Sequence, residues 1–581
     1  MTGKAQVMKS FQKKTWEMAG SRSQKDIEAF RDDLRCSPLL ARVLVSKFGQ
    51  DIEAAREFLN PRLSNMTDPF SVEGYRDAAE RIVRSLQAKE KICIYGDFDM
   101  DGLAGTALLY EVLRFFQADV CTYIPNRIDE GYGMHREALE TLTAAGIKLM
   151  ISVDCGIKAV QEVRFLNEKG VDCIITDHHE PGEELPGAFV VLNPKLLGDD
   201  HQTRDLAGVG VAFELAYALL KYVREKEIFD CSFDLRTSLD YVALGTIADV
   251  VPLTGENRIL VSNGLSVLGK TSRKGLRSVM ARAKINNPPG PYHVAFLIAP
   301  RFNAAGRLGK AHEAFDLLVS QSDEQTEHLS MNLEDYNEER RAMEMQVLSD
   351  AEDKLKDDSD CLIPVLEDKS WHTGIIGIVA SRLSERWRRP FLLIGSEKDV
   401  RRGSGRSYGR FNLIEALDSV SELFENFGGH KAACGFTIRE ENIEELRRRL
   451  NIFAGNCPED IFESKIFVSD EVRASELSLE SLEDLRRLEP FGYGNSRPFF
   501  LMNKMKILRS PRVFKDKHVS FELEKEEELF SAIWYNGKEF VGGNAERMNG
   551  LSVDVVFQPD VDTYSAPRVI LKIEDMAFSE P

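Results

Sequence analysis

The sequence predicts an α/β multidomain protein. It has a domain built on a parallel sheet, a long connecting helix, a second and smaller α/β domain, and a C-terminal β-barrel. Three observations predict this. From residue 76 to about 250, short strand-like apolar runs alternate with helix-like stretches, the pattern of a parallel sheet with crossover helices. Residues 321–358, "QSDEQTEHLSMNLEDYNEERRAMEMQVLSDAEDKLKDD", are rich in charge and contain neither Pro nor Gly. They read as a long solvent-exposed helix joining two domains as a semi-rigid strut. Residues 456–581 carry five or so short strands separated by turn signals.

In chain order, residues 1–75 read as a mostly helical N-terminal segment. The sheet domain follows at 76–320. Its strand candidates are "KICIYG", "IKLMISVD", "VDCIITD" and "AFVVLNP", and helix-like stretches such as "LAGTALLYEVLRFF" and "IKAVQEVRFLNEKG" lie between them. Residues 251–318 within it read as largely helical. The second α/β domain spans 359–455, with strand-like "CLIPVLED" and "PFLLIGS". The barrel segment opens with the loop "EPFGYGNSRPFF" and continues through "KMKILRS", "KHVSFELE", "LFSAIWYN", "LSVDVVFQP" and "RVILKIEDM".

Bulk properties narrow the function. A chain of 581 residues is too long for one core. No apolar run approaches a membrane span. The first twenty residues have no apolar signal region, so export is not expected and the cytoplasm is. Nine scattered cysteines without a C-x-x-C pair suit reduced thiols and argue against a disulfide frame or structural zinc. The net charge of −19 weighs against nucleic-acid binding over the whole surface but leaves room for a local basic groove.

Residues 92–102, "ICIYGDFDMDG", place Asp97, Asp99 and Asp101 at alternate positions after an apolar run. An EF-hand loop begins in the same way, but its twelfth position needs Glu and here holds Leu108, and a strand precedes it instead of a helix. Ligand-type residues recur where other strands end: Asp154 after "LMISV", and Asp177, His178 and His179 after "CIIT". In open α/β sheets, sites form beyond the carboxyl ends of strands. If 97–101 stay extended, the three aspartates face one way and Phe98 and Met100 the other. Carboxylates with one or two imidazoles and no thiolate suit Mn²⁺ or Mg²⁺. So many acids in one place repel each other unless cations neutralise them.

These residues, in this order, resemble the DHH phosphoesterase superfamily. "GDFDMDG" is similar to its first motif, "VDCGI" (153–157) to its second and "TDHHEP" (176–181) to its naming motif. "ALGTIADVVPL" (243–253), containing Asp249, is similar to its fourth. "PRFNAAGRLG" (300–309), "GSGRS" (403–407) and "GGHKAACGF" (428–436) resemble marks of the RecJ single-strand DNA exonucleases. The last two lie in the associated DHHA1 domain, and "EPFGYGNSRPFF" resembles the entry to the RecJ OB-fold domain. Met100 stands where an alanine is common, and Cys434 where "AAGF" is common.

The resemblance implies two metal ions, Mn²⁺ or Mg²⁺. Asp97 and Asp99 would hold one, Asp101, His178 and Asp249 the other, and Asp154 would bridge them. His179 would sit by the scissile phosphate, so that Asp154 and His179 are the expected catalytic pair. Two such ions about 3.5–4 Å apart can activate water and clamp both oxygens of an in-line displacement. Arg127, Arg301, Asn303, Arg307, Ser404, Arg406, Gly429 and His430 are the expected phosphate or nucleic-acid contacts, lining the cleft between the two α/β domains. Arginine and serine in Gly-rich loops suit bidentate phosphate binding. His372, in "WHTGIIGIVASRL", is expected to have a structural role. Phe491, Tyr493, Phe499 and Phe500 are candidates for base stacking or for core packing.

The resemblance therefore implies an exonuclease that degrades single-stranded DNA 5′ to 3′ to 5′-mononucleotides, in recombination and repair. The chain would act as a monomer, with single-strand binding protein and a helicase as partners and no membrane contact. A phosphoesterase of small substrates needs neither strut nor barrel, and a non-catalytic DNA-binding relative would not keep every ligand.

Overall fold

The structure, a computed structural model, describes residues 10–12, 14–20, 22–356, 361–397, 400–562 and 566–579. The chain forms two compact units. One contains Asn60–Ala342 with Pro490–Ser496; the other contains Met1–Leu59, Met343–Glu489 and Arg497–Pro581.

The first unit is built on a five-stranded parallel sheet. Its strands are β1 (Lys91–Gly96), β2 (Val120–Tyr123), β3 (Ile147–Val153), β4 (Asp172–Thr176) and β5 (Val190–Leu192), in spatial order β2-β1-β3-β4-β5. Alternation in β1 sends Ile92 and Ile94 to one apolar core and Cys93 and Tyr95 to another on the opposite face. Both faces are thus covered, which is why the strands read as unbroken apolar runs. The larger core is filled by helix Tyr75–Ala88, α1 (Met100–Phe115), α2 (Gly208–Lys226) and α3 (Leu239–Ala248). The smaller takes residues of helices Arg136–Ala144 and Val160–Glu168. The chain leaves β1 for β2 on one side and returns to β3 on the other, so a crevice opens at the carboxyl ends of β1 and β3.

Helix α4 (Asp323–Leu355) has 33 residues, and the boundary between the units falls inside it. It is less exposed than its charge suggests. Leu329, Leu333, Asn337, Glu344, Val347, Ala351 and Leu355 lie along a buried stripe. Arg382 neutralises buried Glu344 at 2.8 Å.

In the second unit, β6 (Val365–Glu367), β7 (Phe391–Glu397), β8 (Val400–Arg406), β9 (Phe424–Gly429) and β10 (Ala433–Ile438) form a sheet in the order β9-β10-β8-β7-β6. Only β6 and β7 are parallel. Helix α5 (Thr373–Trp387) packs on one face together with the end of α4.

The C-terminal strands are β11 (Lys465–Glu471), β12 (Phe499–Ile507), β13 (Arg512–Phe514), β14 (His518–Lys525), β15 (Glu528–Trp534), β16 (Ser552–Asp562) and β17 (Arg568–Phe578). Pairings run β12-β16-β17-β15-β14 and return from β14 to β12 through Lys506↔Glu524 and Ile507↔Leu523. This ring of five strands is the OB-like barrel that the sequence predicts. The N-terminal segment is helical at Gln24–Leu34, Pro38–Phe48 and Ile52–Leu59, but Thr15–Met18 forms a strand parallel to β11. Trp16, buried on that strand, donates from Nε1 to Asp575 at 2.9 Å.

Candidate metal centre

The ligand candidates of the first unit converge in the crevice. Asp97 follows β1 directly. Asp99 does not continue an extended strand, because its carboxylate caps α1 by accepting from the N–H groups of Asp101 (3.0 Å) and Gly102 (3.2 Å). The chain is therefore already helical at Met100, and Asp101 reaches the crevice from the first helical turn. The two oxygens of Asp101 accept from the N–H groups of Gly208 (2.7 Å) and Val209 (3.0 Å) at the start of α2. Asp249 caps the end of α3.

Three overlapping donor sets result: Asp97, Asp99 and Asp154; Asp101, His178 and Asp249; and Asp154, His178 and His179. The donor atoms within each set lie within 4.8 Å of one another. His178 Nε2 lies 3.1 Å from Asp154 Oδ1, 3.5 Å from Asp249 Oδ2 and 3.8 Å from Asp101 Oδ2.

Backbone strain accompanies this assembly. Asp154 has φ +61° and Val250, directly after Asp249, has φ +59°. A β-branched residue in the left-handed region is an outlier, and such strain concentrates at functional sites. Glycines let elements close on the ligands. A Cβ on Gly208 would lie 2.7 Å from the Cβ of Asp154, and one on Gly245 would lie 2.6 Å from Asp101 Oδ1.

The donors fit a pair of hard divalent cations. Asp97 Oδ1, Asp154 Oδ1 and His178 Nε2 are buried without a hydrogen-bond partner among the described residues. Unsatisfied buried groups of this kind need a compensating ligand. Burial, and then the charge of Asp99, push the Asp97 carboxyl well above its ordinary range. The same two causes bring Asp101 to about 7. Burial, then Asp101, raise Asp154 and Asp249 well above it. Burial, then His179, hold His178 down to about 3, leaving a neutral imidazole. Carboxylate oxygens with a neutral imidazole and no thiolate suit Mn²⁺ or Mg²⁺.

This arrangement predicts a pH dependence. Carboxyls raised in the folded state bind protons more tightly than in the unfolded chain, so their stabilising contribution is lost as pH rises through the folded value. Chelator-treated protein should therefore melt a few degrees lower at about pH 8.5 than at about pH 6.5, a window around the Asp101 value of about 7. Mn²⁺ should raise the melting temperature more at the higher pH. Thermal melts with and without Mn²⁺ check this, and equal metal effects at both pH values would refute it.

Asp177, His179 and Tyr132 form a second layer. Wholly buried Asp177 accepts from the N–H groups of Ile157 (2.9 Å), His178 (2.7 Å) and His179 (3.1 Å), and Oδ1 lies 2.8 Å from His179 Nδ1. Tyr132 Oη donates to the Asp154 carbonyl at 3.2 Å and lies 3.1 Å from His179 Nδ1. Burial disfavours charge on His179, but its hydrogen bond to Asp177 and the charges of Asp177, Asp101 and Asp99 together outweigh this and raise it above its ordinary value. The sequence marks Asp177 only as a residue at a strand end and gives no signal for Tyr132, which the chain brings back from a loop.

The expected phosphate contacts fall in both units. In the first, Arg127 is half-buried, with its guanidinium 5.0 Å from the Phe98 ring, and feels the charges of Asp97 and Asp99. The "FNAAG" stretch is helical, within Ala299–Arg307, and not a ligand loop. Its small residues let that helix approach the first motif, since a Cβ on Gly306 would lie 2.5 Å from the Phe98 carbonyl. Asn303 Oδ1 accepts from the Met100 N–H at 2.8 Å. Arg301 is buried in a two-pronged ion pair with Glu334, at 2.6 and 2.9 Å. Arg307 ends the same helix, half-buried.

In the second unit, "GSGR" is likewise no loop but part of β8. Gly403 and Gly405 face Phe436 and Cys434, where a Cβ would meet the ring at 2.1 Å or the sulfur at 2.6 Å. Strand alternation puts Ser404 and Arg406 on the other face, against Gly377 of α5. Arg406 donates to Ser404 Oγ at 3.2 Å. Gly429, with φ +147°, ends β9, and exposed His430 opens the hairpin to β10, its N–H donating to the Ala433 carbonyl at 2.8 Å. His372 caps α5, accepting from the Gly374 N–H at 3.1 Å. Of the aromatic candidates, Phe500 is core, Phe491 and Phe499 are half-buried and Tyr493 is exposed.

Comparison with known proteins follows the same division. Residues 91–246 match the DHH family N-terminal domain, 358–456 the DHHA1 domain and 468–575 the RecJ OB domain. The single-stranded-DNA-specific exonuclease RecJ of Bacillus subtilis is 34% identical over 575 residues, 98% of this chain and 71% of that protein. That of Haemophilus influenzae is 32% identical over 519 residues, 86% of this chain and 89% of that protein. The crystal structure of Thermus thermophilus RecJ in complex with Mn²⁺ superposes with a TM-score of 0.83 at 30% identity, covering 97% of this chain and 80% of that one. With three matching domains in order and identity sustained over nearly its whole length, this chain belongs to the family of RecJ single-stranded-DNA-specific exonucleases.

Proposed function

We propose that this chain is a metal-dependent exonuclease that degrades single-stranded DNA from the 5′ end to 5′-mononucleotides, by two-metal phosphodiester hydrolysis, in DNA recombination and repair. The observation that carries the reading is the three donor sets, two of which contain Asp154 and two His178, inside a chain of this family. When bound, a pair of Mn²⁺ or Mg²⁺ ions supplies Lewis acidity and an activated water at neutral pH. Asp154, common to two sets, would be shared by the two ions. Asp97 and Asp99 would complete one ion's ligands, and Asp101, His178 and Asp249 the other's.

His179 holds its proton for the phosphate. Its Nδ1–H donates to Asp177, which fixes the ring and leaves Nε2 to donate to a non-bridging oxygen as charge builds there. Asp177→Asn should slow hydrolysis by about tenfold while Mn²⁺ affinity stays unchanged, because Asp177 orients His179 and holds no ion. Parallel measurement of rate and of Mn²⁺ binding checks this; equal loss of both would make Asp177 a ligand.

Ser404 and Arg406 are the proposed ligands of the 5′-phosphate, with Arg127 and Arg307 as further cationic contacts. The barrel adds single-strand contacts by charge and stacking. Single-strand binding protein and a helicase are the proposed partners, the monomer the proposed state and the cytoplasm the proposed compartment. No helix among the described residues is long and apolar enough to cross a membrane. Single strands labelled at either end, incubated with Mn²⁺, test the reading. A 5′ label should appear first as mononucleotide; release of the 3′ label first, or of long fragments, would overturn it.

A further inference from the structure

Cys93 and Cys121 are register partners on β1 and β2. Among the described residues no other two cysteines pair in this way. Partners on neighbouring parallel strands point to the same face, with Cα atoms about 4.8 Å apart, inside the range of about 4.4–6.8 Å that a disulfide spans. The Cys121 thiol donates to the Ile92 carbonyl, next to Cys93, at 3.7 Å. β2 is the edge strand, so Cys121 is half-buried and reachable while Cys93 is fully buried. The more accessible Cys121 is the reactive partner, and the neighbouring Cys93 thiol holds it down to about 7, against the effect of burial.

The pair lies at the root of the metal centre. Asp97 follows Cys93 by four residues, just past the end of β1, and Arg127 follows Cys121 by six, beyond the end of β2. Tyr95 and Tyr123, two residues beyond the cysteines, stack with ring centroids 5.1 Å apart. Their hydroxyls donate to the Gly133 carbonyl and to Glu130, in the loop that carries Arg127 and Tyr132.

We infer that Cys93 and Cys121 are a thiol-oxidation site, joined by peroxides into a reversible disulfide that lowers the activity of the metal centre above it. The Cys121 thiolate attacks one peroxide oxygen, the O–O bond breaks and the second oxygen leaves as water. The sulfur of Cys93, giving up its proton, then displaces the new hydroxyl as a second water and the S–S bond forms. Two thiols are oxidised and one peroxide is reduced. Side chains on parallel neighbours stand somewhat wider than a relaxed disulfide prefers, so the bridge draws the strands together, distorts both segments and is readily reduced.

The test treats the full chain with hydrogen peroxide, digests it with trypsin without reductant and maps the peptides. A bridge between peptides 92–114 and 115–127 is expected, absent after dithiothreitol and absent in Cys121→Ser and Cys121→Ala. The rate on single-stranded DNA should fall several-fold in the oxidised wild type, recover with dithiothreitol and stay constant in both variants. Over-oxidation of Cys121 without a bridge, or a bridge elsewhere, would overturn the site. A mapped bridge with an unchanged rate would overturn its effect on activity. The peptide map does not depend on the nuclease reading, so failure of one is distinguishable from failure of the other.

Discussion

Replacing Asp154 with Asn should reduce hydrolysis of single-stranded DNA by about a thousandfold or more, since on the proposed reading Asp154 would hold both ions, whose charge stabilisation is worth several kcal/mol. Asn is the informative substitution. It keeps the volume and, unlike Ala, tolerates the left-handed backbone at φ +61°. It also removes a buried carboxylate that burial and Asp101 disfavour as an anion. The variant without metal should therefore melt no lower than wild type without metal, and should no longer gain stability from Mn²⁺. Activity and the Mn²⁺-induced shift in melting temperature are measured together. A folded D154N variant that kept a tenth of wild-type activity would refute the bridging role.

Arg406→Ala should erase most of a preference for 5′-phosphorylated over 5′-hydroxyl single strands. The ions do not distinguish the ends of a strand, so polarity requires a group that reads an end at a fixed place. A terminal phosphate carries more charge than an internal phosphodiester. A charged hydrogen bond to it is worth about 1.5–3 kcal/mol, or roughly ten- to a hundredfold in rate or binding. Ser404 and Arg406 stand side by side on β8, with Gly403 and Gly405 turned inward and Gly377 leaving room above them. A strand holds that spacing more firmly than a loop would. The measurement is the ratio of rates on the two substrates, for wild type and R406A, at fixed salt. Indifference of the wild type to the phosphate, or a full preference in R406A, would place end recognition elsewhere. Mn²⁺ affinity should not change.

Local pattern made much of this legible. The runs before Asp97, Asp154 and Asp177 are strands because each is apolar on both faces, and ligand residues at successive strand ends of a parallel sheet must share one edge. Strand β2 escaped notice because "VCTY" is short, half-buried and at the sheet's edge, without the apolar run that marks its neighbours. The extended reading of 97–101 failed because a capping carboxylate, Asp99, starts α1 one residue later. "FNAAG" and "GSGR" form a helix and a strand instead of Gly-rich loops, for a common reason. Small residues announce a close approach but not its partner, and here the partners are the Phe98 backbone and the Phe436 ring.

Donor chemistry and its placement at strand ends were readable from the order of residues, because residue type and two-residue alternation are local properties. Tertiary structure alone decided which donors meet. Asp249 arrives on a helix about seventy residues after His179, and Tyr132 from a loop between two strands. The shared hydrogen bonds of Asp101, the strain at Asp154 and Val250, and the orientation of His179 by Asp177 arise only once those segments close on one crevice. Burial there is also what raises the carboxyls, since desolvation and mutual repulsion depend on distances through space that sequence spacing does not encode.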